Sequence, residues 1–435
     1  MKTVGRYAAG AACCLLLAFS CPAAAQAGQE GAGTAEESWQ EESGAAKENW
    51  REESGAAEEN WQELPGTAAM DEEAENGAGS LEDGLEEYDL AGVEEFLREK
   101  LSGEEADFSF SSLLKMLAGG RMTEAVQMLV RAAGRSLTAG LEESAGLLGQ
   151  VAVLGIAGAV FAGVSGIFQT GQISETGFFV TYLLIFTFLA AGFSQGAKLA
   201  AEALRDILEF MRALMPAYFL AAAFSGGAVT AAGLYEGMLL LISGVQWLFL
   251  TVLLPGIQIY FLLMLAGHMA EEDMLSRLRE LVKTGISWGI RTMAGLVLGM
   301  NLLQGMVLPY ADAVKNSSLT KAVEAIPGIG GGIGAAAKMV MGSGVLIKNT
   351  MGAGAVFILA LLSLAPLVKL GLLTVLYQLA AAVLEPVCDK RITSCVSEAA
   401  EGYRMLLKLT ASALTLFAVA VAVVCAATNV SYYAG

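Results

Sequence analysis

Pro309-Tyr-Ala-Asp-Ala-Val-Lys-Asn-Ser-Ser-Leu-Thr-Lys-Ala-Val-Glu-Ala-Ile-Pro-Gly-Ile-Gly330 is the one long interruption in a chain of apolar runs. Further glycines follow it at 331, 332, 334, 342, 344, 352 and 354. The first half of the segment 309–354 is charged and helix-capable. The second half is apolar but too rich in glycine to hold a helix well in water, since each interior Gly costs about 1 kcal/mol against Ala. Between membrane passes such a segment signals close helix packing, or irregular backbone bordering a cavity, which is tolerated at membrane depth only where protein or water satisfies it. Two readings are therefore open. One is an external loop followed by a helix packed through small residues; the other is a pore-lining or re-entrant element.

The rest of the composition makes the segment an interruption rather than the rule. The chain is 55% hydrophobic and 16% charged, where a soluble domain carries about 25% charged residues. This is the composition of an all-α, polytopic membrane protein. Its net charge of −18 is unevenly spread: residues 26–107 hold 26 of the 44 acidic and 4 of the 26 basic residues, leaving the remainder mildly basic. An acidic polar segment is thus joined to a membrane body, and nothing suggests nucleic-acid binding. Three of the six cysteines, Cys13, Cys14 and Cys21, lie near the N-terminus. Cys388, Cys395 and Cys425 have the spacing of neither a zinc site nor a redox pair, so free thiols are expected and no metal.

Residues 1–25 have the form of a secretory signal: Lys2 and Arg6, an apolar core from Ala8 to Phe19, and Ala23-Ala24-Ala25 before Gln26. Residues 26–84 form an acidic segment in which Trp39, Trp50 and Trp61 recur every eleven residues. An eleven-residue period would keep the tryptophans on one helix face, but the units have too little apolar surface to offset ordering entropy, so disorder is expected. From 85 to 146 the pattern is amphipathic and helical. Leu90, Val93, Phe96, Leu97 and Leu101 share one face. Ser102 with Glu105 could form a capping box before Phe108–Leu117, and Thr123 could cap a third helix carrying Val126, Leu129, Val130 and Ala133. This region is expected to be extracytoplasmic.

The transmembrane helical domain, 147–428, precedes a short tail, 429–435. Its expected passes are Leu147–Phe168, Gly177–Gly196, Arg212–Gly233, Gly237–His268, Trp288–Leu308, Gly352–Val387 and Met405–Thr428. About 20 residues cross a 30 Å hydrocarbon core, and Gly237–His268 is too long for one simple span. Reading it as a hairpin at Pro255-Gly256 gives eight passes. That count also places Arg277, Arg279, Lys283 and Arg291, with Lys390, Arg391, Arg404 and Lys408, in the cytoplasm, as the positive-inside rule requires. The amphipathic stretch Lys198–Leu214 would then lie along the outer interface.

No nucleotide-binding, metalloprotease or serine-hydrolase motif is present, so no catalytic residue or cofactor is expected. The single histidine, His268, reads as an interfacial side chain. What remains is polar residues in apolar runs: Gln246, Gln258, Asn301, Gln304, Lys348, Lys369, Gln378 and Glu385. Ionisable groups at membrane depth mark functional sites by default. Lys369, next to Pro366, stands out; it would snorkel, face a conduit, or pair with Glu385 if the chain turned back at or after Pro366. The glutamines suit interhelical hydrogen bonds. Candidate pore or packing residues are Lys369, Lys348, Gly330, Gly334, Gly342, Gly344, Pro327, Gln246 and Gln258.

Four stretches carry a resemblance: Lys315-Asn-Ser-Ser-Leu319, Ala325-Ile-Pro-Gly-Ile-Gly330, Gly344-Val-Leu-Ile-Lys-Asn349 and Leu384-Glu-Pro-Val-Cys-Asp-Lys-Arg391. With the leader, the acidic segment and the passes, the chain resembles the stage III sporulation protein AE family of endospore-forming bacteria over roughly Phe108–Thr428. The Trp repeats depart from it. The resemblance implies a non-enzymatic multi-pass component of the channel-like complex joining mother cell and forespore, needed for late sporulation. It also implies partners: a secretion-type ATPase, ring-forming membrane proteins and other proteins of that complex. A homo-oligomer in the mother-cell membrane is compatible with it. A secondary transporter for a small solute would show internal repeats with matching broken helices, and none is evident. A membrane scaffold without its own conduit is equally compatible with the residues.

An exported N-terminal region has a direct test. A Ser43→Cys variant in intact cells should gain a site for membrane-impermeant thiol reagents that the parent protein lacks. Labelling that appears only after lysis would place residues 26–146 in the cytoplasm.

Overall fold

A computed structural model of the chain describes residues 90–100, 109–165, 171–225, 228–267, 275–324, 330–386 and 390–433. The leader, the Trp repeats, Ser102, Glu105 and His268 lie outside them. Every regular element among the described residues is helical: α1 (Ala91–Lys100), α2 (Phe110–Ala118), α3 (Met122–Ser165), α4 (Gly171–Phe224), α5 (Ala228–Val245), a π-helical segment (Gln246–Leu253), α6 (Leu254–Gly267), α7 (Ser276–Glu324), α8 (Gly330–Leu384) and α9 (Lys390–Tyr433).

Among the described residues, five helices are long and apolar enough to cross a membrane: Tyr182–Phe224, Thr230–Gly267, Ser276–Leu303, Gly342–Leu384 and Ile392–Ala426. Against the seven or eight passes read from the sequence, two of the expected breaks are absent among the described residues, and the expected pass Leu147–Phe168 falls largely on side chains outside them. The hairpin at Pro255-Gly256 does not form; helix continues from Ala228 to Gly267. The π segment just before Pro255 makes this workable. Its wider turn lets the Leu254 N–H reach the Phe249 carbonyl, which opens room for a proline that has no N–H of its own. Nor is Lys198–Leu214 a separate interfacial helix: it is the middle of α4, which runs on through Pro216. In an apolar setting a helix end strands four donors or four acceptors, whereas one internal proline strands one carbonyl. Continuation is the cheaper outcome. At about 1.5 Å per residue, the 43 residues Tyr182–Phe224 extend about 64 Å, twice the hydrocarbon core.

Contacts along the helices fix their directions. The start of α4 meets the end of α6 and the start of α9, where the Tyr182 hydroxyl donates to the Leu265 carbonyl and lies 3.7 Å from the Cys395 sulfur. The end of α4 meets the beginning of α8, where Gly344 abuts Phe224 and Ser225. The end of α8 returns to the start of α9, with Tyr377 stacked on Tyr403 at 5.1 Å. The first turns of α7 meet the first turns of α9 through Arg279–Glu398 and Lys283–Glu401, both 3.0 Å. So α4, α7 and α9 run one way, and α5–α6 and α8 the other. The two basic clusters therefore lie at the same end.

Near that end an aromatic layer ties α4, α6, α8 and α9 together. Phe193 stacks on Phe261 at 3.8 Å, and Tyr403 meets Phe193 edge-on at 5.5 Å. Gly402 makes the layer possible, because a Cβ there would come within 2.6 Å of the Phe261 ring. Higher up, α1 and α2 dock on the same bundle. α1 buries Leu90, Val93, Phe96 and Leu97, as its periodicity requires; Phe96 packs 6.1 Å from Phe210 of α4. Lys100 pairs with Asp206 at 2.9 Å, which raises the lysine above its ordinary range. Burial would raise the Glu94 carboxyl, but hydroxyls of Ser109 and Ser111 together hold it below the usual range. α2 places Phe110 and Leu114 against Gly354 of α8. The third helix departs from expectation: it starts at Met122, one residue before Thr123, and of its stripe Val126 and Val130 are exposed while Leu129 and Ala133 are half-buried among the described residues.

The shared end of α7 and α9 predicts charge-swap behaviour. Arg279→Glu and Glu398→Arg should each cost about 1 kcal/mol, the upper range for a partly exposed pair, and the double exchange should recover most of it in thermal unfolding in detergent. Additive losses in the double variant would mean that the two helix starts do not meet.

Candidate functional site

Polar groups held inside or along an apolar bundle need a reason, and most here have a local one. Ser363, Thr374 and Thr410 are buried and hydrogen-bond the carbonyl one turn back, on Leu359, Leu370 and Leu406. Asn301 does the same to Val297. These side chains satisfy themselves on their own helix and bridge nothing.

Lys348 differs. It is 0% exposed and sits on α8 between Gly344 and Gly352, one turn from each, so all three share a face. At Gly344 a Cβ would lie 3.0 Å from the Ser225 nitrogen and 3.1 Å from the Phe224 carbonyl carbon. This is backbone against backbone, with no side chain able to yield. At Gly352 a Cβ would collide with the Cys425 sulfur of α9 and approach the Tyr218 hydroxyl of α4. That hydroxyl is itself 3.0 Å from Cys425. A lysine, a thiol and a phenol from three helices are thus gathered where glycines let those helices close up. The neighbouring Asn349 side-chain oxygen is buried without a hydrogen-bond partner among the described residues.

Of the other residues singled out from sequence, Lys369 is half-buried and lays its stem near Gly140 of α3. α8 continues through Pro366 to Leu384, so Glu385 stands about 24 Å further along the helix. The chain does not turn back, and that geometry rules out the pairing considered for the two. Gly342 is half-buried; Gly330 and Gly334 lie in the first turns of α8, so the glycine-rich half is helix from Gly330 on. The segment before it is helix as far as Glu324. Pro327 lies outside the described residues. Gln246 opens the π segment and accepts a hydrogen bond from Arg212 of α4, joining two helices, whereas Gln258 is exposed on α6.

A second polar feature runs along α4. Lys198, Glu202, Arg205, Glu209 and Arg212 recur every three or four residues and are all exposed, giving one face of alternating charge about 21 Å long. Apolar sequence flanks it on both sides. The sequence displayed this stripe, but its amphipathicity fits a helix lying on an interface equally well. Tyr218 was not legible, since a tyrosine in an apolar run is ordinary until its partner on another helix is known.

Residues 108–428 match the model of a family described as stage III sporulation protein AE. Over 251 residues the chain is 24% identical to the "Stage III sporulation protein AE" of Bacillus subtilis (strain 168), covering 58% of this chain and 63% of that protein, just under two thirds of its length. No solved structure matches. The stretch Gly344–Asn349 that carries part of the resemblance begins at the close approach of α8 to α4 at Gly344.

Two glycine-to-alanine exchanges should have opposite signs. Gly344→Ala pushes a methyl into backbone and should cost about 1–3 kcal/mol. Gly371→Ala, on the same helix with nothing near it, should stabilise by about 0.5–1 kcal/mol. Equal effects in thermal unfolding would show that α8 does not press on α4 at Gly344.

Proposed function

The chain belongs to the stage III sporulation protein AE family, and we propose that it is a non-enzymatic membrane component of a channel or export complex linking mother cell and forespore, required for late sporulation. It is a sporulation-related protein with several membrane-competent helices; the conduit role is the reading beyond that. The observation that carries it is the charged face of α4. Any of these five exposed charges set against lipid at depth would cost about 2.5–3.5 kcal/mol, and a helix about twice as long as the hydrocarbon core leaves room to keep them out of it. They face water or another protein. Such a surface suits a subunit that is completed by partners or further copies around an aqueous path. A ring-forming membrane protein of the complex fits this face, and a secretion-type ATPase would supply energy that this chain, lacking a nucleotide-binding motif, does not.

The helix order supports an orientation. With an exported N-terminal region beginning near Gln26, and with α3 taken as a further crossing beside the five membrane-competent helices, α3 enters the cytoplasm and α4 leaves it. The starts of α7 and α9 then fall inside with their basic clusters, in keeping with the positive-inside rule. Losing the hairpin removes a pass and merging two expected segments into α4 removes another, so the parity is kept. On this reading α1 and α2 dock on the outer part of the bundle, in the mother-cell membrane surrounding the forespore.

Reversal of the central charge tests the role of the stripe. Arg205→Glu is an exposed change and should leave unfolding within about 0.5 kcal/mol of the parent. If the face meets a partner, the like-charge contact costs several kcal/mol and the yield of heat-resistant spores should fall at least about tenfold. A normal spore yield from a stably inserted variant would sink the proposal that this face is functional.

A further inference from the structure

At the end where α7 and α9 begin, α7 presents a polar face over its first four turns. Arg279, Lys283, Ser287 and Arg291 follow one another at four-residue spacing and line a groove of about 700 Å³, closed by Tyr260 of α6 and by Glu398 and Glu401 of α9. A volume of that size lies within the range of about 300–1,000 Å³ typical of small-molecule sites.

The two halves of the groove differ in charge. Near the helix starts the cations are neutralised: Arg279 pairs with Glu398 at 3.0 Å, Lys283 with Glu401 at 3.0 Å, and Arg404 with Glu401 at 2.7 Å. Glu280 also lies at that end. The other half contains Ser287, Trp288 and Arg291. Arg291 is exposed and forms no ion pair with a described carboxylate, and Glu398 and Glu401 of the groove are engaged by other cations. Trp288 is 69% exposed beside it. Beyond Arg291 the exposed surface of α7 turns apolar, with Leu296, Leu302 and Leu303 open. An uncommitted guanidinium, hydroxyls and an indole thus stand where a polar groove meets an apolar helix face.

We propose that this groove binds the headgroup of an anionic phospholipid, with the phosphate on Arg291 and Ser287, Trp288 at the glycerol level, and the acyl chains along Leu296 to Leu303. Basic pockets between membrane helices take anionic headgroups, and exposed tryptophan anchors at the level where headgroup meets chain. A zwitterionic lipid gains less here, because its ammonium would need a free carboxylate in the upper half and none is present among the lining residues. The site does not depend on the sporulation role argued above.

The test uses the full-length protein in nanodiscs of phosphatidylcholine, with and without phosphatidylglycerol. Phosphatidylglycerol should raise the unfolding midpoint and be retained preferentially in native mass spectrometry. Arg291→Gln should weaken that preference about fivefold, the factor one basic side chain confers near an anionic surface. Arg277→Gln, at the same end but outside the groove, should leave it intact. Equal loss in both variants would reduce the effect to diffuse surface charge and overturn the site. Equal protection by inorganic phosphate would overturn the lipid assignment in favour of a free anion. Should Arg291→Gln fail to fold, the parent protein decides with acyl-brominated lipids: the Trp288-dependent fluorescence, defined against Trp288→Phe, should be quenched more by phosphatidylglycerol than by phosphatidylcholine. Equal quenching overturns the proposal.

Discussion

A backbone surrounded by apolar side chains has no water to bond, and that constraint organises this protein more than any single side chain does. Each interruption of a helix would expose several N–H and C=O groups at several kcal/mol apiece. The chain accordingly carries Pro216 and Pro366 inside helices and handles Pro255 with a π-helical stretch rather than a turn. Helices about twice the thickness of a hydrocarbon core are the consequence.

Long helices then need places to approach one another, and small residues supply them. Lipid tails are as apolar as leucine, so helix association at membrane depth depends on close packing rather than on expulsion of water. Gly402 admits the Phe261 ring, Gly344 admits the backbone at Ser225, and Gly354 admits Leu114. The ion pairs between α7 and α9 add little energy, since partly exposed pairs contribute about 0–1 kcal/mol. Their role is to select which ends meet.

Composition and periodicity revealed the helical class, the apolar body and the docking face of α1, and left packing and pore lining both open for the segment after Gly330. They could not reveal helix continuity. A proline within a run and a charged stretch between two runs both read as boundaries, because propensity describes a helix in water, where a freed backbone group finds a solvent partner. The glycines at 344 and 352 were visible as a pattern, yet what each admits depends on residues more than a hundred or seventy positions away, at Ser225 and Cys425. Lys369 and Lys348 illustrate the same limit. By sequence the first looked deeper, being flanked by Leu367, Val368 and Leu370; in the fold it is half-buried, and Lys348 is the one fully enclosed.

The outer face of α4 is where packing stops accounting for the sequence. Its inner face is built from Ala200, Leu204, Ile207 and Met211, all buried, and would hold the helix in place with any soluble or lipid-compatible residues opposite. Five charges at a regular spacing are not needed for that. One neighbour already uses the charged side: Lys100 of α1 reaches Asp206 at 2.9 Å and Glu209 at 3.8 Å. Arg212 reaches toward Gln246 on the other flank. Both contacts engage the end of the stripe nearer Phe224 and leave Lys198, Glu202 and Arg205 exposed toward its start. A surface tied down at one end and left charged along the rest is suited to recognition, since the open residues are held in register by a rigid helix and lose little freedom on meeting a complementary face.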